Sequence, residues 1–246
     1  NPFFSTDVVY DSDLSFEGFA ATFRQRFNED APNVKNYKPP ALVDLGGRFG
    51  INMGPQTPNT MFATVGVFPI QEVNLSEKDK WLFGGQAGVD WLVHDQSRFK
   101  AAVSFYHFHN TRARANAPNS FANDWTAPQF VQWGNTMVPI NVNEGNELDG
   151  TPINSRCNST QSFVGQGCLY GLASDFNIFN FTALYDYAGF APINVVFTFD
   201  FTKNFGYNAN RIQREFAGRL LDNRDKTTAY QFRMDVGDRD ALKFKN

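Results

Sequence analysis

The side chains that could carry chemistry in this chain are few: three histidines, two cysteines, and carboxylates interleaved with arginines and lysines. His107 and His109 stand two apart, which on a strand puts both on one face and within reach of one metal ion. Both fall at a strand end on the apolar face, so they read as interfacial residues and no metal site is expected. His94 sits at a turn with no evident partner. Asp90, Asp186, Asp200 and Asp235 occupy the polar face of alternating stretches, as do Gln86, Arg24, Arg26, Arg48, Arg98, Lys100 and Arg233. Two carboxylates could do the work of a glycosidase, but nothing in the spacing sets a pair across a scissile bond. The chain has no G-x-S-x-G, P-loop or C-x-x-C. Gly46-Gly47-Arg48-Phe49-Gly50 follows an apolar run, yet no helix pattern follows it, so the likeness to a dinucleotide loop is empty. No catalytic residue and no cofactor are expected. Cys157 and Cys168 lie in one long polar region, where a disulfide is expected if that region meets an oxidising space; two free thiols are the alternative. Acidic clusters at 11–13, 29–30 and 222–225 read as solvated loop, and the sequons at Asn74, Asn158 and Asn180 carry no argument.

These charges must be positioned by the elements around them, and the most regular stretch is Lys80 to Phe108. Trp81, Phe83, Gly85, Ala87, Val89, Trp91 and Val93 alternate with Leu82, Gly84, Gln86, Gly88, Asp90, Leu92 and His94. After a polar turn at 95–97, Phe99, Ala101, Val103 and Phe105 alternate with Arg98, Lys100, Ala102, Ser104 and Tyr106. Period two on both sides of a short turn predicts a β-hairpin. Its apolar face carries small residues flanked by aromatics. A soluble sandwich would fill such a face with Leu, Ile and Val, whereas a membrane barrel sets aromatic girdles at both interfaces and turns its polar face inward. Trp81, Phe83, Trp91, Phe99, Phe105, Tyr185, Tyr187, Phe199 and Phe201 are therefore expected to face lipid, and the charged set above to line the lumen.

The rest of the chain follows the same pattern. Asn1 to Asp13 reads as loop. Strands are expected over 14–27, 41–53, 59–70, 179–187, 193–204 and 227–236, with another starting near the end. The region 109–175 has no sustained period and forms a long loop, with 127–135 locally ordered. A helical turn is expected around Gln213 to Leu221. Short connections (95–97, 188–192, 237–240) alternate with long ones (109–175, 205–226), as in barrels with short turns at one end and long loops at the other. That alternation favours 41–53 as a membrane strand, giving eight or nine in all.

Composition agrees. The 246 residues include 27 Phe and four Met, and the net charge of -3 makes no case for nucleic acid. A mean hydropathy of -0.40 suits a barrel, where half of each strand and the loops face water. No run of about 18 apolar residues exists to make a membrane helix. The absence of a starting Met and the abrupt end suggest a partial chain forming one domain over 1–246.

Several phrases resemble the bacterial "putative porin" family of Gram-negative outer membranes. They are Asn1-Pro-Phe-Phe-Ser-Thr-Asp7, Leu14-Ser-Phe-Glu-Gly-Phe-Ala20, Phe62-Ala-Thr-Val-Gly-Val-Phe-Pro-Ile-Gln-Glu72, Lys80-Trp-Leu-Phe-Gly-Gly-Gln-Ala-Gly88, Ala127-Pro-Gln-Phe130 with Gly134-Asn-Thr136, and Leu172-Ala-Ser-Asp175. The resemblance implies an all-β fold, a transmembrane antiparallel up-and-down β-barrel, and names no catalytic residue. In that family pattern residues 28–58 look like an insertion, which opposes the parity argument for 41–53.

The leading expectation is an outer-membrane porin through which small hydrophilic solutes or ions diffuse. Its partners would be outer-membrane lipid and those solutes. A homotrimer is common among wide porins, although no residue here argues for one. The alternatives are a non-conducting barrel with a structural or adhesive role, and a secreted β-sandwich binding module.

Overall fold

The computed structural model describes residues 2–6, 8–9, 17–28, 51–52, 59–74, 76–94, 97–117, 120–128, 135–140, 169–190, 193–216 and 226–238. Its strands, in chain order, are β1 Ser5–Thr6, β2 Phe19–Arg26, β3 Ile51–Asn52, β4 Thr60–Gln71, β5 Lys80–His94, β6 Ser97–His109, β7 Met137–Pro139, β8 Tyr170–Leu172, β9 Phe176–Phe190, β10 Ile193–Asn204 and β11 Thr228–Asp238. Among the described residues one α-helix, α1, spans Ala209–Glu215, with the Asn208 side chain accepting from the Arg211 N–H at its start.

Seven strands form one antiparallel sheet in the order β11-β10-β9-β6-β5-β4-β2. Each long strand pairs with its sequence neighbour, so the sheet is an up-and-down meander. The antiparallel all-β expectation holds. Among the described residues the sheet is open, with β2 and β11 as unjoined edges.

Alternation fixes which residues share a face, because a one-residue slip would exchange the two faces. The register joins Arg26, Thr60, Asp90, Lys100, Leu184, Thr198 and Arg233 in one cross-strand row. The next row holds Arg24, Phe62, Gly88, Ala102, Thr182, Asp200 and Gln231; the one beyond it holds Thr22, Thr64, Gln86, Ser104, Asn180 and Thr202. The opposite face presents Phe19, Met61, Val65, Phe83, Trp91, Val103, Phe105, Phe199, Phe232 and Val236, all exposed.

Three expectations change. Most of the strand expected over 41–53 lies outside the described residues, and β2 and β4 pair directly with each other, from Phe19↔Val67 to Arg26↔Thr60. Ile51 and Asn52 instead pair with Thr6 and Ser5. The N-terminal stretch is not plain loop: β1 is paired, and Phe3 and Phe4 are buried. The helix lies at Ala209–Glu215, earlier than expected, because Asn208 supplies the cap. The terminal strand expected after 240 lies outside the described residues.

The long connection after β6 gains its own small core. β7 pairs with β8, and Ala113, Val138, Ile140, Ala173, Ile212 and Phe216 form one buried cluster. Arg112 and Arg211 both pair with Asp175, at 3.3 and 2.7 Å, and Arg112 also binds Glu215. Trp125 lies between the Lys78 ammonium and the Arg114 guanidinium, 5.8 and 5.3 Å from its ring centre. This cap sits at the end of the sheet that carries the 72–79 and 205–227 connections.

Candidate functional site: the charged wall

One face of the sheet carries nearly all of its charge. Arg24, Arg26, Gln86, Asp90, Arg98, Lys100, Asp186, Asp200, Arg233 and Asp235 all stand on the polar side of the register. Arg48 lies outside the described residues, as do Cys157 and Cys168. The expected girdle residues Trp81, Phe83, Trp91, Phe99, Phe105, Tyr185, Tyr187, Phe199 and Phe201 all stand on the apolar side.

The exposure of the two faces is the reverse of a soluble sheet. Phe19, Phe23, Phe232 and Tyr230 are 87, 67, 68 and 78% exposed, while Asp90, Arg98, Lys100, Asp186 and Asp200 are 0–3% exposed. Buried charge requires partners, and these groups have them. Arg98 grips Asp90 in a two-pronged pair, its Nε donating to Oδ1 at 2.7 Å and its Nη2 to Oδ2. The Lys100 ammonium stands 3.9 Å from the same carboxylate. Asp200 accepts from Asn180, Thr182 and Thr202 at 2.8, 2.7 and 3.1 Å. Asn194 donates to Asp186, and Arg233 pairs with Asp235 on its own strand. Arg24 and Arg26, on the edge strand β2, are exposed.

A short N-terminal arm, residues 2–6, lies against this wall. The Gln86 amide brackets Phe4: the Phe4 N–H donates to Oε1 at 2.8 Å, and Nε2 donates to the Phe4 carbonyl at 2.7 Å and to Ser104 at 2.7 Å. A side-chain amide thus stands in for a β-ladder partner. Phe3 packs edge-on against Phe68 and Tyr106. It can do so because the wall has glycine beneath it; a Cβ on Gly84 would stand 2.5 Å from the Phe3 ring. Phe4 joins a buried cluster with Ala102, Leu184 and Val196, and Lys100 lies 4.8 Å from its ring centre. The residues that sequence reasoning missed are these two phenylalanines and the threonines Thr22, Thr60 and Thr64. The glycines of the polar face, Gly66, Gly84 and Gly88, were the available signal, since they leave gaps for side chains from elsewhere.

His107 and His109 stay on the apolar face with ring centres 6.0 Å apart. His107 shares a hydrogen bond with Asn177 at 2.6 Å and stacks on Phe83.

The profile of the family described as "putative porin" matches residues 1–246, the whole chain. The chain belongs to this family. Comparisons with curated proteins and with solved structures return no match. No helix among the described residues is long and apolar enough to cross a membrane, which leaves crossing by strands open.

Proposed function

We propose that this chain forms the wall of an outer-membrane β-barrel pore through which small hydrophilic solutes or ions diffuse passively. The observation that carries the reading is the inverted polarity of the seven-stranded sheet: aromatic and aliphatic side chains exposed on one face, charge enclosed on the other. In water that arrangement is costly, since each exposed large apolar side chain forgoes roughly 1.5–3 kcal/mol of burial. In a bilayer the same face is the buried one. Barrel closure would satisfy the open edges of β2 and β11, which hydrocarbon does not tolerate unpaired. The charged wall would then border the lumen and set a transverse field. Passive diffusion needs neither a catalytic group nor a cofactor, and the proposal includes none.

The test is single-channel recording of the detergent-purified full chain in planar bilayers. Ohmic steps support the pore. The arm seated on the wall favours one rival, a barrel closed to solutes, and silence from correctly folded protein would establish that rival instead.

A further inference from the structure

Between the arm and the wall lies a small cavity lined by Pro2, Phe4, Thr22, Arg24, Thr60, Phe62, Thr64, Gln86, Asp90 and Lys100. The geometry points to a small-anion subsite here, of chloride size, at which a solute pauses on its way through; this rests on the pore reading and specifies its selectivity.

Charge is the first argument. The lining holds two cations, Arg24 and Lys100, and one carboxylate, Asp90. Both oxygens of that carboxylate are engaged by Arg98. The lining itself therefore holds two cations against one carboxylate that is already tied to Arg98. The ammonium of Lys100 is steadied between the Phe4 and Phe62 rings, 4.8 and 5.4 Å from their centres, a dry setting that strengthens its attraction for an anion.

Donors are the second argument. Thr22 and Thr64 share a hydrogen bond at 3.0 Å, in which either hydroxyl can donate, so the pair can turn a proton towards an occupant. Thr60 and Thr64 are 1 and 2% exposed, so this part of the lining is shielded from bulk water. The Gln86 amide is committed to the arm and to Ser104 and serves as structure.

Size is the third. The cavity volume is about 20 Å³, which is room for one water-sized guest. A halide fits this description; a large organic anion could insert only one oxygen. Arg24 lines the cavity from the edge strand and is exposed, so the site is open to solutes on that side.

The test separates binding from conduction. Chloride NMR line width, measured on the detergent-purified full chain, should broaden and narrow again on adding bromide. Arg24→Gln, which alters an exposed side chain, should reduce the broadening several-fold, and Thr64→Val should do so without changing formal charge. Broadening that is absent in the natural chain, or unchanged in both variants, would overturn the subsite. In a KCl gradient the reversal potential should report anion preference, diminished in Arg24→Gln. A channel that conducts with selectivity unmoved by either variant overturns the subsite and leaves the pore standing. A silent channel that still binds chloride overturns the pore and leaves the binding site standing.

Discussion

At the scale of single residues, the wall depends on charges that balance each other out of water. Removing one partner exposes the cost. Asp90→Ala would leave Arg98 buried without its carboxylate, and a loss of about 3–5 kcal/mol is expected, read as a lower unfolding midpoint in detergent. The triple variant Asp90→Leu with Arg98→Met and Lys100→Met should recover most of that loss, because it replaces the buried group of three charges by apolar side chains. If both variants fall equally, the charged group is not the source of the effect. Gln86→Leu is an independent test. It strands the Phe4 N–H and C=O, for which about 1–3 kcal/mol per group is expected, and it should act through the arm while leaving the sheet register intact. The types of these residues were legible from sequence, since period two put Gln86, Asp90, Arg98 and Lys100 on one face. Their pairings were not. Asp90 and Arg98 are cross-strand neighbours only in a register set by the turn at 95–96, and no spacing rule tells whether a lysine points at solvent or at a phenylalanine brought from 96 residues earlier.

At the scale of elements, the strands β4, β5, β6, β9 and β10 could be read from alternation because each keeps one face apolar and one polar over a dozen residues or so. Three short elements escaped. β1, β7 and β8 are two or three residues each, too short to show any period. The arm is the element with the sharpest consequence. Seated on the polar face, it occupies space through which solute would pass, so Phe3→Ala with Phe4→Ala should raise single-channel conductance. Gly84→Val should do the same although it adds volume to the wall, because its Cβ would meet the Phe3 ring at 2.5 Å and displace the arm. A lower conductance in Gly84→Val would mean that the arm does not narrow the path.

At the scale of the molecule, the exposed apolar face makes a claim about solvent. Val103 lies at the centre of β6 and is 46% exposed. Val103→Arg at a bilayer midplane should cost about 2–4 kcal/mol, and the same change nearer a strand end much less. Folding titrations in liposomes measure this, and equal costs at both depths would refute a lipid-facing surface. The order of the sheet also bears on assembly. Every long strand pairs with its sequence neighbour, so strands can add one after another, with the longest loops to close between β2 and β4 and between β6 and β9. The arm cannot join early. Its bracket comes from β5, and the cluster that receives Phe4 draws on β6, β9 and β10. The segment that precedes every strand of the sheet in sequence is thus placed only after most of them have zipped. Burial of Phe3 and Phe4 should be the slowest phase of refolding, a built-in sign that the wall is complete.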